Sequence, residues 1–256
     1  MNHISASITS LPDREDSCDK HGVFTSRNFL GRVWSKCPVC SQEEADRRKQ
    51  EEEQEARRKR KEAWQTQIGE AGIPERFQDR TLDNYVAETP EQDKALTFAR
   101  EYAETFDQAM KTGRCALFIG KPGTGKTHLA VGIGLRIMGR DHRTVLFSTV
   151  MRAIRRVKDS WSKTTNETET QAIRALTYPD LLILDEVGIQ FGSETEKLIL
   201  FDVLNERYEK RRPTIMLSNL DTEELKGYLG ERIFDRIRED RGAVIRFTWE
   251  SHRRAV

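Results

Sequence analysis

Residues 120–127 read GKPGTGKT. Gly120, Gly123 and Gly125 allow backbone paths that side chains forbid, and they stand between an apolar run, CALFIG (115–120), and a helical run that begins at Lys126. A strand that turns through such a loop straight into a helix commits this part of the chain to an α/β domain. The spacing G-x-x-x-x-G-K-T points successive backbone N–H groups inward at a helix N-terminus, where partial positive charge collects. Phosphate is what that cradle holds. Lys126 is then placed to reach the β- and γ-phosphates of ATP and the Thr127 hydroxyl to ligate Mg2+. Gly120, Lys121, Pro122, Gly123, Thr124, Gly125, Lys126, Thr127 and the adjoining His128 are the candidate nucleotide contacts.

A second element points the same way. LLILDE (181–186) is an apolar strand ending in two acids, which sets Asp185 at the sheet edge to hold the Mg2+ shell and Glu186 beside it to polarise an attacking water. Asn219, closing TIMLSN (214–219), is a third polar strand end; an ordinary turn asparagine is its alternative reading. With TVLFSTV (144–150) and AVIRFTW (243–249), these runs predict five strands, nearly continuously apolar as in a parallel sheet buried on both faces. Helical stretches at 126–139 and 194–211 complete a three-layer α/β domain.

Charge excludes other classes. Lys+Arg 43 against Asp+Glu 42 leaves a net charge of +1, so bulk charge drives the chain onto neither nucleic acid nor membrane. No apolar run approaches the roughly 18–20 residues of a membrane span, and the start MNHISASITS lacks a signal-peptide order; a soluble, cytosolic protein is expected. In that compartment Cys18, Cys37, Cys40 and Cys115 are reduced. Cys18-x2-His21 and Cys37-x2-Cys40, fifteen residues apart, suit a closed tetrahedral Zn2+ site in a segment with little apolar mass of its own. Residues 1–40 are therefore expected to form a zinc module and Cys115 to be a small core residue. Residues 41–69 alternate acidic and basic blocks, with Glu43/Arg47, Glu44/Arg48, Glu53/Arg57 and Glu55/Lys59 spaced for i,i+4 pairing, and predict a solvated connecting helix. Residues 70–256 form the α/β domain.

Two basic stretches stand out. MRAIRRVKDSWSK (151–163) gathers Arg152, Arg155, Arg156, Lys158 and Lys163 around Trp161, a composition suited to stacking on single-stranded DNA; a charged helix with Trp161 packed beneath it is the alternative. LGERIFDRIRED (229–240) sets Arg232, Arg236 and Arg238 in one short helical segment.

In order, the phosphate loop, LLILDE, a strand-end Asn, LGERIFDRIR and a last strand resemble the AAA+ ATPases. GKPGTGKTHLA, LLILDEVGIQ, LGERIFDRIR and FTWESHRRAV more narrowly resemble the DnaC-type replicative helicase loaders, including phage and prophage copies. The resemblance covers about residues 70–256. It implies a five-stranded AAA+ sheet, ATP-dependent assembly into a spiral, and delivery of a DnaB-type hexameric helicase onto single-stranded DNA in the bacterial cytoplasm. It further implies that Arg236, with Arg232 second, completes the neighbouring subunit's ATP site, that the 151–163 insert and Trp161 contact DNA, and that the zinc module docks on the helicase. Seven residues follow the last predicted strand, so the usual C-terminal lid domain is not expected; Arg253 is the match for its phosphate-sensing arginine. A transposase-helper ATPase of IstB type, or an ATP-binding adaptor without hydrolysis, are the alternatives; the zinc pair and FTWESHRRAV favour the loader over the first and Asp185-Glu186 argues against the second.

Overall fold

The computed structural model describes residues 12–29, 33–141, 143–162, 164–189 and 193–252. It divides into two compact units, the first ending at Gln65 and the second beginning at Thr66.

In the first unit, β1 (Arg14–Cys18) pairs antiparallel with β2 (Gly22–Ser26), Cys18 lying opposite Gly22. Gly22 takes a φ of 76°, which closes the tight turn that carries His21. A second short antiparallel pair, β3 (Asn28–Phe29) and β4 (Val33–Trp34), leads into the long helix α1 (Pro38–Glu70). Proline suits a helix start, since the N–H it lacks has no intrahelical partner there. The helix begins before residue 41, and Cys40 therefore lies in its first turn. Of the expected i,i+4 pairs, Glu44–Arg48 (2.8 Å) and Glu55–Lys59 (3.6 Å) form. Glu43 instead turns to Lys20 (3.5 Å) and His21 (3.2 Å), because the β1–β2 turn stands beside the start of the helix, and Arg47 pairs with Glu51 at 3.8 Å.

The second unit is built on one sheet. A capping box of Thr89 and Gln92 starts α2 (Pro90–Glu104), followed by α3 (Phe106–Thr112) and β5 (Ala116–Gly120). After α4 (Lys126–Asp141) come β6 (Val145–Thr149), α5 (Val150–Asp159), α6 (Glu169–Thr177) and β7 (Leu181–Val187). The chain continues through α7 (Glu194–Glu209), β8 (Thr214–Ser218), α8 (Thr222–Leu229), α9 (Glu231–Arg238) and β9 (Ala243–Phe247). The five strands lie in the order β6-β7-β8-β5-β9, every neighbouring pair parallel. This is the expected five-stranded AAA+ sheet. Alternation sorts its faces: Leu117, Ile119, Leu182, Leu184 and Met216 pack with α5, α6, α7 and α9, while Phe118 turns to the opposite face and meets Phe98 of α2 edge-on at 6.1 Å.

Arg207 of α7 is completely buried, and among the described residues no carboxylate forms an ion pair with it. Its guanidinium donates to Thr214 Oγ1 and to the carbonyls of Leu176, Thr177, Pro179, Asp180 and Pro213, and burial pulls its pKa down to about 9. It thereby ties down the loops that enter β7 and β8, the two strands whose far ends carry Asp185 and Asn219. Among the described residues no helix is long and apolar enough to cross a membrane.

Candidate nucleotide-binding site and metal centre

A parallel sheet brings all its C-terminal strand ends to one edge, and helices that follow those strands point their N-termini there. The loop after β5 exploits both. Gly120, Gly123 and Gly125 have φ of 147°, 82° and 94°, and a Cβ on Gly120 would lie 2.2 Å from the Phe247 carbonyl. Glycine is therefore required at the strand's exit. Lys126 is buried to 7 % exposure and donates to the carbonyls of Gly120 (2.6 Å) and Lys121 (2.9 Å) and to Asn219 Oδ1 (2.9 Å). Thr124 Oγ1 braces the loop on the Lys121 carbonyl at 2.8 Å.

Asp185 lies next to this loop. Its Oδ2 accepts from Thr127 Oγ1 at 3.0 Å and its Oδ1 from the Glu186 amide at 2.7 Å. Burial raises its pKa, and the Glu186 N–H, the Thr127 hydroxyl and the Lys126 charge hold the rise back. Leu184 stands opposite Met216 and Val187 opposite Ser218, so β7 carries one residue more than β8 over this interval. That bulge, with Glu186 at φ 63°, leaves its side chain exposed on the cleft. The sequence pattern predicts a strand ending in two acids, whose side chains alternate in direction in any strand; the bulge and the positive φ of Glu186 are set by pairing with β8.

The cleft holds about 720 Å3, and one wall comes from a segment that pattern reading passed over: Pro74, Arg76, Phe77, Arg80, Asn84 and Tyr85. A signal was present, since residues 71–89 run without periodicity between two helices, and connections longer than about 12–15 residues are uncommon unless functional. His128 turns to this wall, its Nε2 within 2.9 Å of the Thr81 carbonyl and 3.0 Å of Asn84 Oδ1, and burial lowers its pKa. The segment after β9 covers the loop from outside. Trp249 Nε1 donates to the Thr124 carbonyl at 2.9 Å and the His252 amide to the Gly123 carbonyl at 3.1 Å. With these carbonyls engaged on that side, the N–H groups of Gly123, Thr124 and Gly125 have no acceptor among the described residues. Arg253 lies outside the described residues.

Arg236 belongs to the other edge of the sheet. It shares a small cleft with Cys115 and Thr214, which stand at the N-terminal ends of β5 and β8, whereas Gly120 and Asn219 stand at the opposite ends. About 13 Å of strand separates the two edges. Its guanidinium sits 4.4 Å from the Tyr208 ring centroid and donates to Asn205 Oδ1, and Tyr208 in turn donates to Glu239 at 2.6 Å. Arg232 is exposed, 5.9 Å from the Phe201 ring centroid. Arg238 lies 5.8 Å from that of Phe234.

Beyond α5, Trp161 is 48 % exposed rather than packed in the core. Arg155 is exposed on the same helix; Arg152, at the start of α5, lines the nucleotide cleft and donates to the Gly72 carbonyl at 3.5 Å, and Arg156 and Lys158 are engaged by Glu167 (2.6 Å) and Glu196 (2.8 Å). Lys163 lies outside the described residues. Cys115 is half-buried near the start of β5 and packs against the apolar core, and burial raises the pKa of its thiol.

Cys18, His21, Cys37 and Cys40 converge, their ligand atoms all within 4.8 Å of one another. Cys18 and Cys40 sulfurs are 3.5 Å apart, and His21 Nδ1 is 3.8, 3.7 and 3.3 Å from the sulfurs of Cys18, Cys37 and Cys40. A tetrahedron with zinc–sulfur bonds of ~2.3 Å has edges of about 3.8 Å, so the donor set fits zinc. Backbone N–H groups of Lys20 and His21 pull the Cys18 thiol down to about 6. Glu43 takes the other ring nitrogen of His21 at 3.2 Å, the orientation that presents Nδ1 to a metal. No pattern had assigned Glu43 this place.

The family of IstB-like ATP binding proteins matches residues 48–254. The replicative helicase loader DnaC of Escherichia coli strain K12 is 38 % identical over 194 residues, 75 % of this chain and 76 % of that protein. DnaC of Buchnera aphidicola subspecies Acyrthosiphon pisum is 38 % identical over 189 residues, 74 % and 75 % of the two chains. A crystal structure of the DnaC helicase loader superposes with a TM-score of 0.61 at 24 % identity, covering 68 % of this chain and 99 % of that one, which shows a common fold. The phosphate loop, the five-stranded sheet and these relatives agree: the chain belongs to the DnaC-type replicative helicase loaders, within the IstB-like AAA+ ATP-binding proteins.

Proposed function

We propose that the chain hydrolyses ATP to control the loading of a DnaB-type hexameric replicative helicase onto single-stranded DNA at replication initiation in the bacterial cytoplasm. The observation that carries the hydrolytic part is the bulge at Asp185-Glu186, which holds one carboxylate on Thr127 and leaves the other on the open cleft. In this reading the loop's N–H groups and the start of α4 bind the phosphates, and Lys126 exchanges its own loop carbonyls for the β- and γ-oxygens. Thr127 and Asp185 hold Mg2+, which when bound supplies positive charge to the phosphate oxygens. Glu186 polarises the attacking water and Asn219 orients beside Lys126. Arg236, a sheet's height from its own phosphate loop, serves a neighbouring subunit, with Arg232 as the second candidate; this asks for self-association into a head-to-tail spiral.

The remaining assignments follow. Cys18, His21, Cys37 and Cys40 hold a structural Zn2+ in the module that docks on the helicase. Trp161 with Arg155 meets single-stranded DNA, the indole stacking on bases and the arginine on phosphates. Arg253 senses the bound phosphates.

The test uses the full-length chain, the purified host helicase and single-stranded DNA, reading complex formation and phosphate release. Wild type should associate with the helicase and release phosphate; Glu186→Gln should bind ATP and lose about 100-fold or more in hydrolysis. No release by wild type would reduce the protein to an ATP-binding adaptor. Absence of any helicase complex would favour the transposase-helper reading.

A further inference from the structure

Tyr85 buries its phenol at the nucleotide cleft and leaves it without a partner. The residue is 8 % exposed, and among the described residues nothing hydrogen-bonds its Oη. Native interiors rarely keep such a group, so its presence asks what completes it. The ring is held firmly: it meets His128 edge-on, centroids 5.1 Å apart with planes at 79°. It also touches the phosphate loop, for a Cβ on Gly125 would lie 2.9 Å from Tyr85 Cε2 and 3.2 Å from Oη. Tyr85, Gly125 and His128 all line the cleft. His128 Nε2 is already committed to Thr81 and Asn84. Burial pushes the phenol up to about 12, so at neutral pH it is a hydrogen-bond donor and not a phenolate.

The helix after the loop defines the direction. Thr127 faces Asp185 of β7, whereas His128, one residue on, faces residues 81–85. Tyr85 thus flanks the loop on the side that the metal-binding acids do not occupy. Oη is closed off from solvent in the nucleotide-free chain, with the phosphate loop at Gly125 against it, so an oxygen acceptor meets it as the loop adjusts around a bound anion, and a donor is what Tyr85 has to offer.

We infer that Tyr85 is a nucleotide-binding residue whose hydroxyl donates to an oxygen of the sugar–phosphate of the bound adenine nucleotide, on the side of the loop away from Asp185. This rests on the reading of the cleft as the ATP site. Phosphate and ribose oxygens share the required chemistry.

The inference has a two-signed consequence. Tyr85→Phe keeps the ring contacts and deletes only the unpartnered hydroxyl, so the nucleotide-free protein should melt at the same temperature or higher while its affinity for nucleotide falls. ADP is the probe, to keep hydrolysis out, with tripolyphosphate as a second ligand; calorimetry is run on wild type, Tyr85→Phe and Lys126→Ala. Expected are loss of binding in Lys126→Ala and a fall of about five- to tenfold in ADP affinity in Tyr85→Phe. A parallel fall for tripolyphosphate assigns the bond to a phosphate oxygen, and an unchanged value assigns it to ribose. Wild-type ADP affinity in Tyr85→Phe, with Lys126→Ala inactive, overturns the inference and leaves the ATP site standing. A lowered melting temperature of the nucleotide-free variant also overturns it, by showing that the hydroxyl serves the fold. Failure of wild type to bind ADP overturns both.

Discussion

The Thr127 hydroxyl donates to Oδ2 of Asp185 across 3.0 Å, tying the first turn of α4 to the end of β7. Burial raises the pKa of this aspartate, so its proton is held more tightly in the folded chain than in the unfolded one. Its contribution to stability is full below the unfolded carboxylate value, about 4, and is lost as pH rises through the folded value. At neutral pH the ionised Asp185 works against folding of the nucleotide-free protein. Asp185→Asn is therefore expected to melt at or above the wild-type temperature near pH 7, an advantage that shrinks toward pH 4, while hydrolysis falls by on the order of 100-fold. Thermal melts across this range and a phosphate-release assay check both halves; a destabilised variant at neutral pH would contradict the sign.

Arg236 and Glu186 are expected to complement each other between subunits. Arg236→Ala and Glu186→Gln should each hydrolyse ATP poorly alone, by roughly 100-fold or more. Mixed in equal amounts in a head-to-tail array, about a quarter of interfaces pair an intact Glu186 with an intact Arg236. Phosphate release by the mixture should therefore recover toward a quarter of wild type. If a mixture shown to co-assemble stays inactive, Arg236 does not act across the interface, and Arg232 becomes the next residue to test.

Metal analysis should find about one zinc per chain, since four converging ligands close a tetrahedral site. Cys37→Ser with Cys40→Ser should lose it. Glu43→Gln should retain the metal with an affinity lowered by about 10- to 100-fold, because the partner that orients His21 is weakened. A chelator competition measures this, and equal affinities would remove Glu43 from the site.

Trp249 Nε1 engages the Thr124 carbonyl. Trp249→Phe keeps an aromatic ring beside Phe247, whose centroid lies 4.8 Å from that of Trp249, but has no N–H to donate. ADP affinity should drop by about two- to tenfold. Calorimetry with a far-UV spectrum of wild-type shape would read the effect; unchanged affinity would mean that the rest of the loop orients this peptide unaided.

The residues whose positions were legible in the sequence are those whose geometry is decided within a few bonds. GKPGTGKT carries its own turn and the start of its own helix, and an apolar run bounded by acids is a buried strand wherever it lies in the sheet. The pairs Cys18/His21 and Cys37/Cys40 are legible for the same reason, each being a short chelate. Pattern also set Arg232 and Arg236 on one helix. Tertiary structure alone decided the rest, because it depends on which distant segments meet when the sheet closes. The order β6-β7-β8-β5-β9 brings Asp185 and Asn219 to the loop and sends Arg236 to the opposite edge, and no local period encodes strand order. The bulge at Glu186 arises from registry between β7 and β8. Trp249, Tyr85 and Glu43 gain their places from partners 125, 40 and 22 residues away, at Thr124, Gly125 and His21. Contacts of that span have no signature in spacing; they exist only once distant segments have folded against one another.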